Sequence, residues 1–163
     1  MRAFRSFSAM LVAIGLLVAM TAGSALAAGD GRTFHIQLSG DQEPDGGDPD
    51  GTGTATVTIN AGQGTLCYSI SWQDIGGENP TEADQVWGGH IHNAPAGSSG
   101  GIFVHLFGAP MEPLTAFEGT DSTSDCVSVE RAKLVAILAD SDGYYLNLHT
   151  DNFQGGAIRG QLR

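Results

Sequence analysis

Residues 54–59, Thr54-Ala55-Thr56-Val57-Thr58-Ile59, alternate polar and apolar side chains without a break. Asn60-Ala61-Gly62-Gln63-Gly64-Thr65 then leads into Leu66-Cys67-Tyr68-Ser69-Ile70-Ser71-Trp72, which alternates again. A period of two puts the three threonines on one face of a strand and Ala55, Val57 and Ile59 on the other. The glycine pair is turn chemistry, so the stretch reads as a β-hairpin with one wet and one buried face.

Working outward, the same signal recurs. Phe34-His35-Ile36-Gln37-Leu38 alternates, and Val86 to His92, Ile102 to Phe107, Cys126 to Val129, Tyr144 to His149 and Ala157 to Leu162 are further short strand candidates. Turn-rich segments separate them, notably Pro95 to Gly101 and Asp151 to Gly156. One stretch differs: Glu130 to Ala139 is rich in helix formers and places Leu134, Ile137 and Leu138 on one face, predicting a short helix. The expected fold is therefore mainly all-β: a single antiparallel β-sandwich or barrel-like Greek-key domain with one short helix.

Composition narrows the function. The 163 residues carry 18 acids against 7 basic residues, a formal charge of −11, with a single lysine, Lys133. Nucleic-acid binding needs clustered Lys and Arg and is excluded as an expectation. At the N-terminus, Arg2 and Arg5 precede the apolar run Ala9 to Met20, and Ala25-Leu26-Ala27 has the small-x-small form of a cleavage site. This predicts a secretory signal at residues 1–27, a short lead at 28–32 and one domain at 33–163. No cysteine follows the apolar run to receive a lipid anchor. Loss of Arg2 and Arg5 leaves 5 basic against 18 acidic residues, or −13. Anionic headgroups repel such a chain, so the expected product is exported and not held at a membrane.

Export sets the reading of Cys67 and Cys126, the only two cysteines. An even count in an oxidising compartment predicts a disulfide, and both cysteines share their strand faces with serines.

The motifs then become specific. Leu38-Ser39-Gly40-Asp41-Gln42-Glu43-Pro44, Gly51-Thr52-Gly53-Thr54-Ala55, His90-Ile91-His92-Asn93-Ala94-Pro95 with Gly100-Gly101, Tyr145-Leu146-Asn147-Leu148-His149-Thr150 and Gly156-Ala157-Ile158-Arg159-Gly160-Gln161-Leu162 occur in that order. Together they resemble the chordin-type, or CHRD, domain, a module of animal chordin and of many bacterial secreted proteins. The resemblance covers residues 33–163. Asn93 stands where the family pattern has glycine, and Gln73 to Gln85 looks like an acidic insertion. The resemblance implies a secreted binding or structural module without an established enzymatic activity. Its partner would be an extracytoplasmic protein or a small ligand.

His90 and His92 lie two apart on a predicted strand, so both imidazoles leave the same face. His149 comes from another predicted strand. If the two strands are neighbours, three neutral imidazoles could hold Cu or Zn and leave one position open. The competing reading is a buried network of His90, His92, Asn147, His149 and Arg159 that only ties strands together. A second resemblance, to copper/zinc superoxide dismutase, rests on the HxH pair, the later histidine and an arginine between glycines near the end. It implies a copper redox enzyme, with His105 near the place of a metal-bridging histidine. Two further histidines and an aspartate of that family's zinc site are missing, so His105 is expected to be an ordinary strand residue. No catalytic residues are assigned: there is no G-x-S-x-G elbow and no thiol beside a base. The acids of the loop Asp41 to Asp50 lack the order of a calcium loop and are expected to be a solvated surface.

Overall fold

The computed structural model describes residues 31–75, 85–108 and 121–163. The expected signal at 1–27, most of the lead, Gly76-Gly77 and the centre of the acidic insertion lie outside the described residues. In chain order come β1 (Arg32–Ser39), a 3-10 turn (Gly40–Gln42), β2 (Thr52–Asn60), β3 (Thr65–Gln73), β4 (Gly88–Asn93) and β5 (Ile102–Phe107). β6 (Ser122–Ser128), α1 (Arg131–Ala139), a second 3-10 turn (Ser141–Gly143), β7 (Tyr144–His149) and β8 (Ile158–Gln161) follow.

The expected hairpin is β2 and β3, paired from Thr52↔Gln73 to Asn60↔Thr65. Its alternation carries through the register: Ala55, Val57 and Ile59 of β2 and Leu66, Tyr68, Ile70 and Trp72 of β3 are all buried. β1 adds Phe34, Ile36 and Leu38 to the same face. All eight strands form one antiparallel sheet in the order β5-β4-β7-β8-β1-β2-β3-β6, which curls into a nearly closed barrel. The two ends meet through side chains. The Tyr68 hydroxyl of β3 donates to the Leu106 carbonyl of β5 at 3.3 Å. α1 sinks Leu134 and Ile137 into the core, while Lys133 Nζ donates to the Phe103 carbonyl of β5 at 3.0 Å. The expected helix thus exists, one residue shorter at its start, and it packs one face on the core while Arg131, Ala132, Val135 and Ala139 stay exposed.

β6 is mostly exposed and polar, so burial does little to hold it at the sheet edge. The expected disulfide does so instead. Cys67 and Cys126 are directly opposed in the β3–β6 ladder, with Cα atoms 3.9 Å apart, and are bonded. β4 starts at Gly88 rather than Val86, and β8 is shorter than expected at both ends. The ladder still continues past them: Trp87 N donates to the His149 carbonyl at 3.0 Å and Ala157 N to the Leu148 carbonyl at 2.7 Å.

Candidate metal centre

β7 departs from the half-wet pattern of β1 to β3: all six of its residues are buried. Tyr144, Leu146 and Leu148 point into the barrel, so Tyr145, Asn147 and His149 point outward and must be covered by something else. β4 behaves alike, with Ile91 in the core and His90 and His92 outward yet only 3% and 7% exposed. The cover consists of the loops expected from turn chemistry, running from Ala94 to Gly101 and from Thr150 to Ala157, together with the segment after β1.

β4 and β7 are neighbours, as the three-histidine reading required, with His90 opposite Asn147 and Gly88 opposite His149. One ring nitrogen from each of His90, His92 and His149 lies within 4.8 Å of the others. Among the described residues this is the metal-capable group of histidine, cysteine and carboxylate side chains. Nitrogen ligands sit about 2.0–2.1 Å from zinc, so a movement of about an ångström brings all three onto one ion.

The hydrogen bonds assign the lone pairs. His92 Nδ1 lies 2.9 Å from the Gly100 carbonyl and His149 Nδ1 3.0 Å from the Gln154 carbonyl. A carbonyl only accepts, so both Nδ1 atoms carry the proton and both Nε2 atoms present a lone pair. These Nε2 atoms, and both ring nitrogens of His90, are buried without a hydrogen-bond partner. Two of the rings are also clamped by stacking. His92 lies flat on Tyr145 (4.9 Å, 11°) and His149 on Trp87 (5.4 Å, 27°).

The electrostatics keep the imidazoles neutral. Burial, followed by the neighbouring imidazoles of His149, His105 and His92, pushes His90 down from 6.5 to about 3; the nearby Gly108 backbone only softens this. Burial lowers His149 to about 4, against the opposing bond to Gln154. His92 is lowered by burial first and by the Arg159 charge, with the Gly100 bond opposing. A neutral imidazole with a free lone pair is the form that ligates a metal.

Behind the rings, Arg159 and Asn147 join a polar network with Glu43 and the covering loops. Arg159 is 1% exposed; its Nη1 donates to the Ser98 carbonyl at 3.0 Å, and its guanidinium lies 3.6 Å from the Tyr145 ring centroid. It pairs more loosely with Glu43, at 3.9 Å. Asn147 Nδ2 donates to Glu43 Oε1 at 3.4 Å and to the Gly155 carbonyl at 3.5 Å. Glu43 was expected in a solvated acidic loop, and here the structure corrects the sequence reading. Its carboxylate turns inward to Arg159 and Asn147, and Asp48 is buried as well, while Asp41, Asp45 and Asp50 stay exposed. Burial raises the Glu43 pKa despite the Arg159 charge and the Asn147 bond.

His105 is an exposed strand residue, as expected, but its position carries information. A bulge in the β4–β5 ladder sets it opposite His90, with ring centroids 4.8 Å apart, edge to face. It stands at the rim of the cluster and outside the group of ligand nitrogens. Tyr145 was missed, although the period-two rule that joins Asn147 to His149 would have placed it on their face.

The arrangement can coordinate Cu or Zn: three neutral nitrogens, two of them oriented through the opposite ring nitrogen, as in known histidine–metal sites. Compared with known proteins, the chain matches the family model described as the CHRD domain over residues 34–162. No curated protein and no solved structure matches it.

Proposed function

The chain belongs to the CHRD domain family, and on that premise we propose that it is an exported module holding one Cu or Zn ion on His90, His92 and His149. The observation that carries this reading is the set of buried, unpaired imidazole nitrogens. A network that served the fold alone would satisfy them, because a buried polar atom left unpaired costs about 1–3 kcal/mol. A bound ion takes these lone pairs and supplies Lewis acidity at any position left open.

The chain's own residues supply the rest. Gly100 and Gln154 fix the ring orientations, Tyr145 and Trp87 clamp the ring faces, and the covering loops limit access by water. Arg159 ties one of those loops to β8 through Ser98. The charge balance and the apolar N-terminal run support a role outside the cytoplasm, toward a protein or small ligand there.

The test is metal analysis of tag-free protein offered Cu(II) and Zn(II). About one ion per chain is expected, stripped by chelator and absent from a folded His92→Ala variant. Less than about 0.1 ion per chain refutes the reading. Superoxide turnover measured on the same sample decides whether the site is also a dismutase-like redox centre.

A further inference from the structure

Asn147 is fully buried on β7, opposite His90 on one side and Arg159 on the other. Its amide has one orientation that the surroundings accept. Nδ2 faces two acceptors, Glu43 Oε1 and the Gly155 carbonyl. The flipped amide would set an oxygen against a carboxylate and a carbonyl. The turn is built around this contact. Gly156 has φ +140°, and a Cβ there would collide with Glu43 Oε1 and crowd Asn147 Nδ2.

Oδ1 is thereby left at the other end of the amide, buried and without a partner. Asn147 stands directly across the β4–β7 ladder from His90 and shares the outward face of β7 with His149, so its amide lies among the three histidines. His92 has committed its Nδ1 proton to Gly100, so its Nε2 offers a lone pair. Two acceptors therefore border one space. An ion on Nε2 resolves only one of them; Oδ1 still needs an N–H or O–H, which an occupant of the remaining position can bring.

We propose that Asn147 Oδ1 makes the open position of this site selective for a small ligand that donates a hydrogen bond, such as water or an amine, over an aprotic anion. This rests on the three-histidine reading above. Asn147 is thus a specificity-determining residue that grips the ligand, with Glu43 and Gly156 holding its amide in place.

The test uses the full chain loaded with Co(II), whose visible bands report ligand exchange, titrated with azide and with ammonia at pH 8.5. The Asn147→Leu variant removes the acceptor at similar volume. Its azide-to-ammonia affinity ratio is expected to rise at least tenfold over wild type, and a ratio within twofold overturns the proposal. If Asn147→Leu does not fold, Asn147→Ala reads the same position, because it removes the acceptor and leaves no branched side chain to clash with Glu43 or the Gly155 carbonyl. Its ratio is expected to rise at least fivefold, and a ratio within twofold of wild type overturns the proposal. Failure of the wild type to take up cobalt, copper or zinc shows before any ligand is added and removes the three-histidine reading together with this one.

Discussion

Replacing His90 by leucine separates a metal site from a fold-holding network more sharply than any loss-of-binding variant. His90 is 3% exposed and has no hydrogen-bond partner on either ring nitrogen. In metal-free protein each unpaired group costs about 1–3 kcal/mol, and leucine removes both. Leucine differs in shape from imidazole, and such misfits in packed regions cost about 1–3 kcal/mol in return. At the middle of each range, two groups gained against one misfit, His90→Leu in chelator is expected to gain about 2 kcal/mol. For a domain of this size about 1 kcal/mol moves the melting temperature by roughly 3–5 °C, so the variant should melt roughly 6–10 °C above wild type.

Adding metal inverts the order. At 1,000 times its dissociation constant an ion stabilises wild type by about 4 kcal/mol, while the variant has lost a ligand and gains little. Scanning calorimetry with excess chelator and then with Zn(II) reads both halves. A variant that melts more than roughly 5 °C below wild type in chelator, with no reversal on adding zinc, refutes the argument and returns the histidines to a structural role.

Three further predictions follow from the same geometry. In chelated protein, His90 at about 3 and His149 at about 4 lie below the 6.5 of the unfolded chain, so the unfolded state binds more protons on acidification. Their contribution is complete above pH 6.5 and fades as pH falls toward 4 and then 3. The raised Glu43 acts oppositely but only near the carboxylate range, so the urea midpoint should drop between pH 7 and 5, and a flat midpoint would contradict the shifts. Cys67→Ser with Cys126→Ser opens a link of sequence separation 59, which the chain-entropy model values at about 4 kcal/mol. Urea unfolding should show most of that loss, and a deficit under about 1 kcal/mol would mean that β6 is held by other contacts. His105→Ala should leave metal stoichiometry unchanged, because its exposed ring lies outside the ligand group; loss of the ion in elemental analysis would make His105 a ligand.

Much of this was legible in the chain because period-two patterning is local. Thr54 to Trp72 specified a hairpin, its inward face and its turn, and the structure keeps all three. The disulfide was legible for a similar reason, since strand faces and a count of two left one pairing. Glu43 was not. Among neighbouring acids nothing in its own segment marks it as the one whose carboxylate meets a buried arginine 116 positions later, at Arg159. The bulge that sets His105 against His90 was equally hidden, because register depends on the partner strand.

By itself, then, the sequence determined which residue types share a strand face: His90 with His92, and Asn147 with His149. It also pointed to a single antiparallel β domain, sandwich or barrel, and the structure alone showed one sheet. Only the tertiary structure decided that this outer face is covered rather than wet, and that β4 and β7 are adjacent. It alone showed that two of the imidazoles spend their Nδ1 protons on loop carbonyls from Gly100 and Gln154. The physical reason is that alternation is a property of the backbone pleat, carried by every residue in turn. The state of a lone pair depends on whatever distant backbone closes over it.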